Sequence, residues 1–346
     1  MATPQLSAVL RAAWAGQSVG ELASPNISAL HEFKKTYLGM GRTNGDREAE
    51  ARSSVPAGTP VISMGGGLPE PALLPFEEIL AAARVAWESH RPAPLEYGST
   101  VGDPAGLKEQ VAQYLTRRRG HYVTPGEIFV TTGNQGGIEA ISKAFLDPSS
   151  VALIESPLWT AAINIVYGSS GAECTMVGHD DEGISAAEVE RQIQLAARKG
   201  KAVKLIYLQP LHHNPSGVSI SRARAEALLR LAAQHMILLV ADEPYEAYEY
   251  CNDDGESSVE RCHLSTMSGG HGVLTVHSFS KTLGTGLRLG YVHSAPALLA
   301  PLQESLLTQS SVLLEYTVAE LMRSGSFESI AAAARLNYGR KLRLCK

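Results

Sequence analysis

The stretch 276-VHSFSKTLGTGLRLGYVHS-294 decides how this chain folds. One apolar run, 273-VLTVHS-278, leads into it, and a second, 289-LGYVH-293, leads out. Short apolar, β-branched runs bounded by turn residues read as buried strands. The segment between these two is too short for a crossover helix, so the strands run antiparallel. The loop they enclose is rich in Ser, Thr and Gly. It carries one lysine, Lys281, and one arginine, Arg288.

Five similar runs precede the pair: 128-IFVTT-132, 151-VALIE-155, 173-ECTMV-177, 203-VKLIYL-208 and 236-MILLVA-241. Segments of helical composition cover 104–120, 135–146, 186–200 and 221–235. This alternation predicts an α/β fold in three layers. A seven-stranded, mostly parallel sheet with one antiparallel strand is covered by helices on both faces. Beyond residue 294 the alternation stops. Residues 296–325 read as one or two long helices ending at Gly325, and another helix opens at 327. The expected organisation is an N-terminal arm over 1–60 that contributes to a small domain, and a large sheet domain over 61–295. An interdomain helix and the start of a truncated small domain occupy 296–346.

With 346 residues, 44% hydrophobic and 19% charged, the composition is that of an ordinary globular protein. A net charge of -5 argues against nucleic acid or an anionic membrane as partner. The longest apolar runs fall far short of the roughly 20 residues that span a bilayer. Cys174, Cys251, Cys262 and Cys345 form no CxxC pair, which points to reduced thiols and against a zinc site. A cytoplasmic location is expected. The Ala/Ser-rich segment 2–20, with one arginine and no acid, leaves a mitochondrial presequence as the alternative to an amphipathic arm.

In such a sheet, polar residues at the carboxyl ends of the strands gather at one rim, where ligands bind. The run 128–132 ends in Gly133-Asn134-Gln135 and then a helix, which is either a glycine turn or an anion site at a helix start. The run 203–208 ends in 209-QPLHHNPSG-217, whose prolines present Asn214. His212 and His213 are adjacent and face opposite ways along an extended chain, which argues against a two-histidine metal site. Asp242 follows a fully apolar strand and is expected to be buried, either as a helix N-cap or facing a cationic ligand atom. Ser278, Ser280 and Arg288 suit a phosphate. Lys281 among them, out of water and beside a fixed cation, tends to lose its proton and become a nucleophile toward aldehydes. A Walker loop does not fit, because the glycines follow the lysine. Pyridoxal 5′-phosphate carries the phosphate, ring cation, phenolate and aldehyde that these groups would meet.

Six motifs stand in order: 60-PVISMGGGLPEPALLPF-76, 97-YGSTVGDPAGLKEQVAQYL-115, 131-TTGNQGGIEAISKAF-145, 209-QPLHHNPSG-217, 242-DEPY-245 and 278-SFSKTLGTGLRLGY-291. On these the chain resembles the fold-type I pyridoxal-phosphate-dependent aminotransferases of class I/II. Within them it is most similar to the 2-aminoadipate, kynurenine and aromatic amino acid aminotransferases. The resemblance runs from about Ser24 to the end. It implies Lys281 as the Schiff-base lysine and proton shuttle, Asp242 at the pyridinium nitrogen, and Asn214 and Tyr245 at the phenolic oxygen. It implies Asn134, Gln135, Ser278, Ser280 and Arg288 at the phosphate. Trp159 and Pro244 would flank the ring, and Gly67 would line the substrate pocket with Asn214. Tyr97 would reach the phosphate of a neighbouring subunit, so a homodimer with shared sites is implied. Thr285 stands where the family usually has proline. The family's C-terminal lobe carries an arginine for the substrate carboxylate. This chain stops roughly where that lobe begins, and Arg335, Arg340 and Arg343 match only the helix that opens it.

The resemblance implies transamination between an L-amino acid and a 2-oxo acid, 2-oxoglutarate being expected. Its alternatives are another reaction of the same cofactor, such as β-elimination by a lyase, or a truncated inactive homologue that binds cofactor or a partner subunit. A gene-regulatory relative would need a helix-turn-helix and a basic patch ahead of the cofactor domain, and the residues before Pro60 show neither pattern.

Overall fold

The computed structural model describes residues 53–56, 59, 67–98, 102–248, 262–305 and 309–345. Of the expected N-terminal arm over 1–60, all but 53–56 and 59, including the Ala/Ser-rich segment, lies outside the described residues, as does Cys251. In chain order the main elements are α1 (Phe76–His90), α2 (Leu107–Arg119), β1 (Ile128–Thr131), α3 (Gly133–Phe145), β2 (Ser150–Ser156) and α4 (Ala161–Ser170). They continue with β3 (Glu173–Asp180), β4 (Gly183–Ile184), α5 (Ala186–Arg198), β5 (Ala202–Leu208), α6 (Arg222–His235) and β6 (Leu238–Asp242). Then follow α7 (Leu264–Met267), β7 (Val273–Ser278), β8 (Gly290–His293), α8 (Pro296–Ser305), α9 (Val312–Arg323) and α10 (Ser326–Cys345).

The strands form one sheet in the order β1-β8-β7-β6-β5-β2-β3-β4. Strands β3, β2, β5, β6 and β7 pair in parallel. Strand β8 is antiparallel to both neighbours, with Ser278 opposite Gly290 and Ile128 opposite His293. All seven sequence-predicted strands are present. The eighth, β4, is a correction: Gly183 and Ile184 fold back on Asp180 and His179 as a two-residue edge hairpin. Two residues are too few to carry an alternation signal. Strand β6 also starts later than the apolar run, because Met236 takes φ +56 and ends α6. That shift makes Asp242 the last residue of the strand.

Local chemistry sets the helix ends. The Ser185 and Ser221 hydroxyls accept from the backbone N–H of Glu188 and Arg224, capping α5 and α6. The Asp103 carboxylate takes the N–H groups of Lys108 and Glu109 at the start of α2, at 3.1 and 2.9 Å. One sheet face, through Phe129, Ile154, Val240 and Val276, packs on apolar residues of α3, α4 and α8. The other, through Leu153, Ile206 and Leu239, packs on α5 and α6. A third core joins α1, α2, α9 and α10 to Ile128, Phe279 and Tyr291. Among the described residues no helix is long and apolar enough to cross a membrane. Since β1, β5, β6 and β7 are mutually parallel, their carboxyl ends reach the same rim.

Gly290 sits where β8 passes the turn between β1 and α3. A Cβ there would stand 2.5 Å from the His277 carbonyl oxygen and 3.0 Å from the Gly133 Cα. Both are backbone atoms and cannot swing away. Gly290→Ala should therefore cost about 1–3 kcal/mol of stability. In urea unfolding this appears as a lower midpoint at unchanged slope.

Candidate active site

The rim cavity is lined by Asn134, Gln135, Trp159, Gln209, Asn214, Asp242, Pro244, Tyr245, Ser278, Ser280, Lys281, Thr285 and Arg288. Its anion end is built where β1 meets α3. Gly133 takes φ +74, and a Cβ there would meet the Arg288 guanidinium at 3.1 Å, so the arginine lies flat on this turn. Arg288 itself adopts φ +50, costly for a non-glycine residue, and its Nη2 donates to Gln135 Oε1 at 3.3 Å. The Ser278 hydroxyl accepts from the Ser280 N–H at 3.1 Å, which leaves its own proton free to donate. Cationic arginine, hydroxyls and the first N–H groups of α3 together suit a phosphate.

Asp242 is fully buried at the end of β6. Among the described residues no lysine or arginine forms an ion pair with it. Its oxygens instead accept from three neutral donors: Tyr207 Oη and Gln209 Nε2 on Oδ2, the latter at 2.9 Å, and Asn134 Nδ2 on Oδ1. Burial pushes the carboxyl above the usual aspartate range, against these hydrogen bonds, which pull it down. Burial and the Asp242 charge push the Tyr207 phenol well above its ordinary value, so it remains a donor. The assembly is a negative site lacking a cation.

Lys281 lies across the cavity. Its Nζ donates to the Gly67 carbonyl at 2.8 Å and stands 5.7 Å from the centre of the Tyr245 ring. Burial lowers its pKa below the lysine norm. Asp242 opposes that shift and Arg288 adds to it. The Tyr248 hydroxyl donates to the Lys281 carbonyl and so fixes the backbone of the turn. Gly67, at φ +55, brings its backbone against the Tyr245 hydroxyl, where a Cβ would stand 2.9 Å away.

Of the sequence-predicted site residues, all but Tyr97 and Gly67 line this one cavity, and Gly67 touches it through Lys281. Tyr97 is fully exposed and stands outside it. Asn134, expected at the phosphate, turns its amide to Asp242 instead, because that buried carboxylate draws the nearest donors. Thr285, noted in the sequence where the family usually has proline, lines the cavity. Two lining or supporting residues were absent from the sequence reading. Tyr207 looks like one more apolar strand residue. Gln209 bridges both ends of the site: its Nε2 reaches Asp242 and its Oε1 accepts the Asn214 N–H at 2.8 Å. A polar residue closing an apolar strand was the available signal for Gln209.

Pyridoxal 5′-phosphate passes the fit. A pyridinium N–H would give Asp242 its missing cation. The buried Asn134 Oδ1 has no hydrogen-bond partner of its own and faces the same region. Lys281 lies in the cavity with the phosphate-suited groups at one end.

A family model, aminotransferase class I and II, matches residues 65–337. The chain is 27% identical over 283 residues to aromatic-amino-acid aminotransferase 1 of Thermococcus litoralis, covering 82% of this chain and 65% of that protein. It superposes on the crystal structure of an archaeal alanine:glyoxylate aminotransferase with a TM-score of 0.72 at 26% identity, covering 92% of this chain and 73% of that one. It also superposes on the α-aminoadipate aminotransferase of Thermus thermophilus, complexed with N-(5′-phosphopyridoxyl)-L-leucine. There the TM-score is 0.70 at 28% identity, covering 82% and 69%. The chain thus spans about two thirds of the length of the relatives it matches.

Two opposed charges bear on Lys281, and their removal should move its titration in opposite directions. Without Arg288 the ammonium loses a repelling neighbour, so Arg288→Gln should raise the Lys281 pKa. Asp242→Asn removes an attracting charge and should lower it. The pH dependence of amine labelling at Lys281, mapped by peptide mass spectrometry, reads both shifts.

Proposed function

Because the chain belongs to the class I and II aminotransferase family, a family built on pyridoxal 5′-phosphate, we propose that it moves an amino group from an L-amino acid to a 2-oxo acid. The observation supporting this is the meeting of Lys281, Asp242 and Arg288 in one cavity. An amine of lowered proton affinity, a buried carboxylate held by neutral donors and an anion clamp are what this cofactor requires together. The donor is of the aromatic, kynurenine or 2-aminoadipate type, and the acceptor is 2-oxoglutarate. Relatives acting on aromatic amino acids and on aminoadipate support that choice.

When bound, the cofactor supplies an electron sink that acidifies the Cα–H of the attached amino acid. The rest falls to the protein. Lys281 Nζ, whose proton affinity burial lowers, takes the Cα proton and returns it. Asp242, oriented by its three donors, would pair with the ring nitrogen and keep it protonated. Tyr245 and Asn214 hold the phenolic oxygen. Gln135, Ser278, Ser280 and Arg288 hold the phosphate, with the Asn134 backbone at the start of α3. Trp159 covers one ring face and Pro244 the other, which excludes water. Gly67 leaves room for substrate beside Tyr245.

In this reading the large domain spans 61–295, with a small domain drawn from 1–60 and from 296 onward. Two chains share their sites, the exposed Tyr97 of each reaching the other's phosphate. A cytoplasmic setting is part of the proposal, supported by the unbridged Cys174 and Cys262.

Borohydride reduction of the loaded protein should fix the cofactor to the Lys281 peptide. Lys281→Ala should lose that adduct and lower turnover by about 10²- to 10⁴-fold or more. A panel of amino donors with 2-oxoglutarate should yield glutamate, whereas release of ammonia and pyruvate would replace the proposal with a lyase. Tyr207→Phe should keep the fold and lower kcat by about tenfold, the loss of one hydrogen bond to a charged group.

A further inference from the structure

A second polar cluster lies beside the cofactor cavity, and no role above uses it. Glu155 is near the end of β2, His179 near the end of β3, and His213 in the loop after β5. His179 Nδ1 stands 3.1 Å from Glu155 Oε1, and His213 Nε2 stands 3.5 Å from Glu155 Oε2. One ligand atom from each lies within 4.8 Å of the others. A tetrahedral zinc ion with bonds of about 2.0–2.2 Å holds its ligand atoms roughly 3.3–3.6 Å apart. The two histidines meet opposite oxygens of the carboxylate, so an ion between the rings would take one of these oxygens, with the ligand atoms now within 4.8 Å drawing together. The imidazoles meet edge to face with centroids 4.5 Å apart, and small ring rotations close the edge between them.

Charge separates this cluster from the other one in the fold. Glu243, Glu246 and His263 are also buried together. There the Arg119 guanidinium stands 3.4 and 3.7 Å from the two carboxylates and supplies the cation. Glu155 has no such partner among the described residues. An ion bound there would take Glu155 as the carboxylate and both imidazoles in their neutral form. His213 Nδ1 lies 3.0 Å from Ser216 Oγ, the kind of outer contact that orients a ligating ring.

We propose that Glu155, His179 and His213 bind one divalent transition metal of the zinc class, with water completing the coordination. Two imidazoles and one carboxylate favour zinc or cobalt over magnesium or calcium. The site is separate from the cofactor but adjoins its supports. Glu155 Oε2 accepts the Gln209 N–H at 2.8 Å, and His213 is followed directly by Asn214. A bound ion therefore holds the loop from Gln209 to Asn214 against β2.

Titration of the cofactor-loaded full chain with cobalt(II) tests this. One saturable equivalent should appear as visible d–d bands, and an equimolar amount of zinc should displace it. His179→Ala, remote in sequence from the cofactor loop, should weaken binding at least about 100-fold. His213→Gln should do the same. Zinc should also raise the Tm of the wild-type chain and leave that of His179→Ala unchanged; circular dichroism shows whether each variant is folded. Absence of a saturable site in the wild type, or saturable binding that survives in folded His179→Ala, overturns the proposal.

Discussion

Asp242 sets the terms for the rest of this structure. A carboxylate at the end of a fully buried strand is costly unless donors or a cation compensate it. Here Tyr207, Gln209 and Asn134 converge on it from three elements. They orient it and hold it toward the charged form, yet none carries a positive charge. The proposed cofactor supplies that charge, so the site is complete only when loaded. The reach of Asn134 toward Asp242 follows from the same constraint, as does the burial of a tyrosine hydroxyl in an otherwise apolar strand.

The turn between β7 and β8 meets the complementary requirement. It places an amine and a guanidinium within eight residues, both lining one cavity. The antiparallel return of β8 makes this possible, because both ends of the turn leave from the same rim. Gly290 and Gly133 let the backbones approach closely enough for Arg288 to lie over the start of α3. The cation that lowers the proton affinity of Lys281 is therefore the one proposed to hold the phosphate.

Much of this was legible in the sequence. The seven main strands were visible because each is a short, mostly apolar or β-branched run bounded by turn residues, and the antiparallel pair because its connection is too short for a helix. The cavity residues stood out as polar groups interrupting apolar runs. What was missed has physical reasons. Strand β4 is two residues long and has no period. Tyr207 resembles core until its hydroxyl is placed against Asp242. The direction of Asn134 depends on a carboxylate 108 residues away, which local pattern cannot express. The contact of His213 with His179 joins a loop and a strand far apart in sequence, which the adjacent pair His212–His213 could not show.

Gln209 joins these observations. Its backbone N–H holds Glu155, its side-chain nitrogen holds Asp242 and its side-chain oxygen holds the Asn214 backbone. One residue therefore carries the alignment of the ring-nitrogen end, the phenol end and the neighbouring histidine cluster. Only the contact with Asp242 joins two side chains, so a double-mutant cycle between Gln209 and Asp242 carries its interaction energy, while the Glu155 and Asn214 contacts run through backbone N–H groups that substitution leaves in place.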